Sequence, residues 1–110
     1  WQLYGPEQLV LFCNASIGWD TSVYEIMEIG ERRMNMMRFY NAREGFTKEN
    51  DTLPNRLFEP LVGGISQGRK VDRNKYEEAK ELYYQIAGWT DQGNPTTATL
   101  YKLSLEWLVE

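Results

Sequence analysis

From Ser22 to Gly45 the sequence carries a helical period and no competing one. Val23, Ile26, Met27, Gly30, Met34, Met37 and Asn41 fall on one stripe, which Ile29, Met36 and Tyr40 widen. Ser22 and Glu25 have capping-box spacing, and Gly45 is a stop, so the pattern predicts a helix from Ser22 to about Ala42. In a chain of 110 residues, one such helix sets the scale: one domain's worth of chain with a single modest core.

Three further helices are legible. One opens at Gly5-Pro6, where proline suits the first turn, and runs to Gly18. Another starts at the Asp72 cap, turns Tyr76, Ala79, Leu82, Tyr83 and Ile86 inward, and ends at Gly88. The last starts at Thr96 or Thr97 and carries Leu100, Leu103, Trp107 and Leu108. Residues 45 to 71 hold no lasting period and are punctuated by proline, glycine and asparagine. Leu53, Leu57, Phe58, Leu61 and Ile65 suggest that this long loop is pinned against the helices. The expected class is therefore all-α, a multihelical orthogonal array of about four helices with an irregular loop at 45–71. Gly18-Trp19 and Gly88-Trp89 each follow an apolar helix, and both read as Schellman ends with tryptophan as the plug.

The chemistry available is narrow. No histidine is present, which removes His-based triads and His metal ligation. The single cysteine, Cys13, lies on an apolar helix and reads as an inert core residue rather than a reactive thiolate. The net charge of −4 does not favour nucleic acid, and the longest apolar run, Leu9 to Cys13, is too short for a bilayer. The stretch at residues 90–95 lacks the alternating oxygen ligands of a calcium loop, and residues 63–70 lack phosphate-loop spacing.

What stands out is the arginine content of the long helix: Arg32, Arg33, Arg38 and Arg43. Glu28 and Arg32 are spaced for a surface pair worth about 0.2–0.5 kcal/mol. Arg38 falls among methionines and aromatic residues, where an arginine is half buried and paired or stacked on a ring. Glu44, Asp51 and loop carbonyls are its candidate partners. Two uses stay open: clamping the loop onto the helix, which we prefer, or holding an anionic ligand.

The order of blocks then matters. Asn14-Ala15-Ser16-Ile17-Gly18-Trp19-Asp20, Ile29-Gly30-Glu31-Arg32 and the run from Arg38 to Phe46 are followed by the run from Asp51 to Arg56. The run from Tyr83 to Trp89, then Gly93-Asn94-Pro95-Thr96, Leu100 and Leu103 complete the series. Together they resemble the C-terminal helical region of the tungsten-containing aldehyde:ferredoxin oxidoreductase family. The resemblance implies a parent that oxidises aldehydes to carboxylic acids and passes electrons through a 4Fe–4S cluster to ferredoxin. Its metal would be tungsten, or molybdenum, held by a bis-pterin, and its location cytoplasmic.

On that resemblance residues 1–110 are a single C-terminal helical domain or fragment, inactive by itself. Its partners are the remaining domains of the parent, with no nucleic acid and no membrane. The family's cluster cysteines and pterin-binding motifs lie upstream of these blocks, so no cofactor is expected in this segment. No catalytic, cofactor-binding or metal residue is assigned. The expected structural clamp is Arg38, Asn41, Arg43, Asp51, Pro54, Trp19 and Trp89. The alternatives are a relative with another substrate, such as an aryl-CoA reductase subunit, or a non-enzymatic helical interaction module. Exposed apolar surface separates a severed domain from a self-sufficient module.

Overall fold

The computed structural model describes residues 4–109. Among them the chain is all-α, with four helices: α1 (Pro6–Ile17), α2 (Val23–Arg43), α3 (Arg73–Ala87) and α4 (Thr97–Lys102). Its only sheet-like pairing among the described residues is an isolated bridge between Trp89 and Pro95.

Each helix starts where a side chain satisfies free N–H groups. In α1, Pro6 occupies the first turn and the Gln8 side chain reaches back to the Gly5 N–H at 2.9 Å. At α2 the Ser22 hydroxyl accepts from the Glu25 N–H, and the Glu25 carboxylate accepts from the Ser22 N–H at 2.7 Å. Asp72 caps α3 by accepting from the Lys75 N–H at 3.1 Å, and Thr96 caps α4.

The two Gly-Trp ends differ. At α3 the Gly88 N–H bonds to the Gln85 carbonyl and the Trp89 N–H to the Tyr84 carbonyl, the paired bonds of a Schellman end. At α1 a single bond from the Gly18 N–H to the Asn14 carbonyl makes the simpler left-handed end instead. Asn14 then exchanges side-chain bonds with the Thr21 backbone, both at 3.0 Å, and so fixes the turn into α2. Trp19 is 51% exposed and plugs nothing within the described residues.

Residues 44–72 are irregular, with 3₁₀ turns at Lys48–Asn50 and Asn55–Leu57. The loop's neck is tied by backbone bonds from Leu61 to Arg69, Gly68 to Leu61 and Val71 to Leu57. Leu53 and Phe58 are half-buried, but Leu57, Leu61 and Ile65 are exposed, so the loop is pinned by fewer side chains than its sequence suggests.

The core is small: Leu100, Leu103 and Leu105, with Phe39 and Leu108 packed on it. Helix α4 is shorter than its apolar spacing predicts. It ends at Lys102, and Ser104 adopts a left-handed φ of 54°, which turns the chain so that Leu105 is buried while Trp107 faces out from a 3₁₀ turn.

The helix faces also depart from the apolar pattern. On α2 the buried residues are Asn35 and Arg38, while Met34 and Met37 are exposed. On α3 Tyr84 is buried and Leu82, Tyr83 and Ile86 are not. The faces packed inward are those whose polar ends find partners, and the greasier faces stay uncovered. The molecule measures 53 × 39 × 21 Å with a radius of gyration of 18.6 Å, against about 13 Å for a compact domain of this length.

Candidate functional site

Arg38 is the centre of a polar cluster that joins α2, the loop, α3 and the turn before α4. Its Nη1 and Nη2 donate to the two Asp51 carboxylate oxygens at 2.8 and 2.5 Å, a bidentate fork. Its Nε donates to the Gly93 carbonyl at 2.6 Å. The guanidinium carbon stands 5.1 Å from the centre of the Trp89 ring, within cation–π range.

Asp51 is saturated. One carboxylate oxygen also accepts from the Tyr84 hydroxyl, and the Asp51 carbonyl accepts from the Tyr76 hydroxyl at 3.0 Å and Lys80 Nζ at 3.1 Å. Lys80 also pairs with Glu77 at 2.8 Å. One turn before Arg38, Asn35 accepts from the Trp89 indole N–H at 2.9 Å and donates to the Glu31 carbonyl. Tyr83 meets the same indole edge-on, with ring centres 5.6 Å apart.

Gly93 allows the cluster to close. Its φ is +78°, and a Cβ there would run into the Arg38 guanidinium and the Tyr84 ring. Sequence reading missed both Gly93 and Asn35. The available signal was an asparagine, a poor helix former, one turn from an arginine in mid-helix.

Of the other residues expected in the clamp, Asn41 is half-buried and its carbonyl accepts from the Phe46 N–H, while Pro54 heads the 3₁₀ turn at Asn55–Leu57. Arg43 is exposed, and Trp19 lies at the far end of α1. The structure brings Arg38, Asp51 and Trp89 together and leaves those four outside. Arg32 does not pair with Glu28; its guanidinium donates to the Leu103 carbonyl at 2.6 Å and ties α2 to the core.

Electrostatics follow from this geometry. Burial works against charge on Asp51, but the hydrogen bonds from Arg38 and Tyr84 and the charges of Arg38 and Lys80 outweigh it. The carboxyl therefore titrates below its ordinary 3.8. Burial, then the bond to Asp51 and its charge, push the Tyr84 phenol well above its ordinary 10.0.

The two limbs have opposite signs. Asp51 contributes stability that is complete above its unfolded value and is lost as pH falls through the lowered one. Tyr84 contributes stability that is complete below pH 10 and is lost as pH rises further. Urea midpoints measured against pH should therefore fall at both ends, with the acid limb flattened in Asp51→Asn and the alkaline limb in Tyr84→Phe. An acid limb unchanged in Asp51→Asn would assign it to other carboxylates.

Chemically the cluster is closed, because both Asp51 oxygens and three Arg38 donors are engaged within the chain. Among the described residues no group of three metal-ligating side chains occurs, and Cys13 stands half-buried. No helix among them is long and apolar enough to cross a membrane.

With the fold and cluster in view, comparison with known proteins is specific. The family model described as aldehyde ferredoxin oxidoreductase, domains 2 and 3, matches residues 1–105. The chain belongs to the aldehyde ferredoxin oxidoreductase family. Tungsten-containing aldehyde ferredoxin oxidoreductase of Pyrococcus abyssi is 38% identical over 95 residues, 84% of this chain and 15% of that protein. The Pyrococcus horikoshii protein of the same name is 36% identical over 104 residues, 93% of this chain and 17% of that protein. Among solved structures, the active-site complex of benzoyl coenzyme A reductase with 1,5-dienoyl-CoA superposes with a TM-score of 0.77. It covers 96% of this chain and 14% of its own at 22% identity, a likeness of fold. The chain thus spans under a fifth of the length of the family relatives it matches.

Proposed function

We propose that this chain is the C-terminal helical part of an aldehyde-oxidising tungsten or molybdenum enzyme that passes electrons through a 4Fe–4S cluster to ferredoxin in the cytoplasm. Its own share is structural. It completes a helical shell around the reaction centre, and the Arg38–Asp51–Tyr84–Trp89 cluster locks its helices to its loop. Neither bis-pterin nor cluster fits the donors present, which include one cysteine and no histidine. Those groups would be held by the remaining domains, and the 110 residues alone would be inactive.

The observation that carries this reading is surface. A self-contained globular chain of 12.9 kDa exposes about 6300 Å². This one exposes 8838 Å², including Leu11, Phe12, Met27, Met34, Ile65 and Ile86. The excess, about 2500 Å², is roughly three times what one partner contributes to a standard interface of about 800 Å² per side. A free-standing interaction module has no need of so much extra surface studded with apolar side chains, whereas a domain packed on others does.

An aryl-CoA reductase subunit remains the second reading, supported by the fold match at a TM-score of 0.77. Identities of 35–39% with aldehyde ferredoxin oxidoreductases favour the first. The test is elemental analysis of the full-length protein purified without oxygen. Tungsten or molybdenum with about four irons per chain is expected. A folded, metal-free protein would leave the interaction module as the better reading.

A further inference from the structure

A groove of about 620 Å³ runs between α2 and α3. Ile26, Met27, Met34, Tyr83 and Ile86 line it, and Glu31 and Lys102 stand at its rim, bridged at 3.5 Å. Gly30 sits on its wall, in the middle of α2. Glycine is a poor choice in a helix interior, because it loses more backbone freedom than alanine. At Gly5, Gly88 and Gly93 a Cβ would strike a neighbour within this chain; at Gly30 it would meet nothing within 4 Å. Nor does Gly30 appear among the residues with positive φ. Nothing among the described residues requires a glycine there.

We propose that the groove is the seat of an apolar segment of the same polypeptide, from outside these 110 residues, whose backbone crosses α2 closely at Gly30. This deepens the reading given under Proposed function and rests on it. Length favours this occupant, since the curated relatives extend far beyond the matched stretch. Area does as well. Uncovered apolar side chains are spread over α1, the 61–65 loop tip, α2 and α3, more than one two-fold contact with a second copy would cover. The absence of a side chain at Gly30 lets a neighbouring backbone approach nearer than the usual 8–10 Å between helix axes.

The sign of one substitution tests the seat. In the full-length protein, Gly30→Ala should lower the thermal midpoint, because the methyl group intrudes on the seated backbone. An open groove gives the opposite result, since alanine is the better helix former; a raised or unchanged midpoint overturns the proposal. A photoreactive residue replacing Met34 in the full-length protein reads the occupant directly. The expected product is an intramolecular adduct with a peptide outside residues 1–110. An adduct to a second copy, to another protein or to these residues, or no adduct, overturns it. Tungsten, molybdenum and iron contents of the same preparation separate the two readings. Metal without the adduct removes the seat and keeps the oxidoreductase; the adduct without metal does the reverse.

Discussion

Replacing Arg38 with alanine should lower the stability of the folded protein by about 1–3 kcal/mol, the range for leaving buried polar partners unsatisfied. The upper end is expected. Arg38 is 9% exposed, and three of its donors are committed. Without it the Gly93 carbonyl loses its donor, the Asp51 carboxylate keeps the Tyr84 hydroxyl but no paired cation, and the Trp89 ring loses the charge above its face. Arg38→Lys should recover little, because an ammonium is a point charge and cannot span both carboxylate oxygens and a carbonyl. Arg38→Ala combined with Asp51→Ala should cost less than the two single changes added, since the pair then leaves no lone buried charge. The measurement is the urea midpoint of the full-length protein. A midpoint unmoved in Arg38→Ala would show that the fork contributes nothing net.

That cluster also marks where sequence reading stops. Caps are local, so Ser22, Asp72 and Thr96 could be recognised from residue type and spacing, and the helices begin where they stand. Burial is not local. A stripe of apolar residues shows that a helix has a greasy face, but not which object covers it. On α2 the stripe through Met34 and Met37 predicts an inward face, yet Asn35 and Arg38 face in, because their distant hydrogen-bonding partners lie on the loop at Asp51 and in the turn that follows α3, at Trp89 and Gly93. Leu82 and Ile86 on α3 repeat the pattern. The helical period is right in both cases, and the choice of inside is made by residues far away in sequence. Helix α4 failed differently: one left-handed residue, Ser104, breaks an apolar spacing that would otherwise continue.

Gly93→Ala should damage the fold far more than one added methyl group usually does, with a cost of about 2–4 kcal/mol. Two effects add. The first is conformational: a φ of +78° costs an L-residue about 1–2 kcal/mol. The second is steric, because the new Cβ would enter the space held by the Arg38 guanidinium and the Tyr84 ring. Neither neighbour can yield cheaply, since both are tied to Asp51, so the methyl must open the cluster or push the turn at residues 90–94 away from α2. Gly68→Ala supplies the control. Its φ is also +78°, but a Cβ there meets nothing within 4 Å, so it should show the conformational cost alone. The difference between the two variants in urea midpoint isolates the close approach, and Gly93→Ala should also shrink the acid limb that Asp51 gives the stability profile. Equal losses in both variants would mean that the turn moves aside freely and that the cluster does not depend on a bare backbone at Gly93.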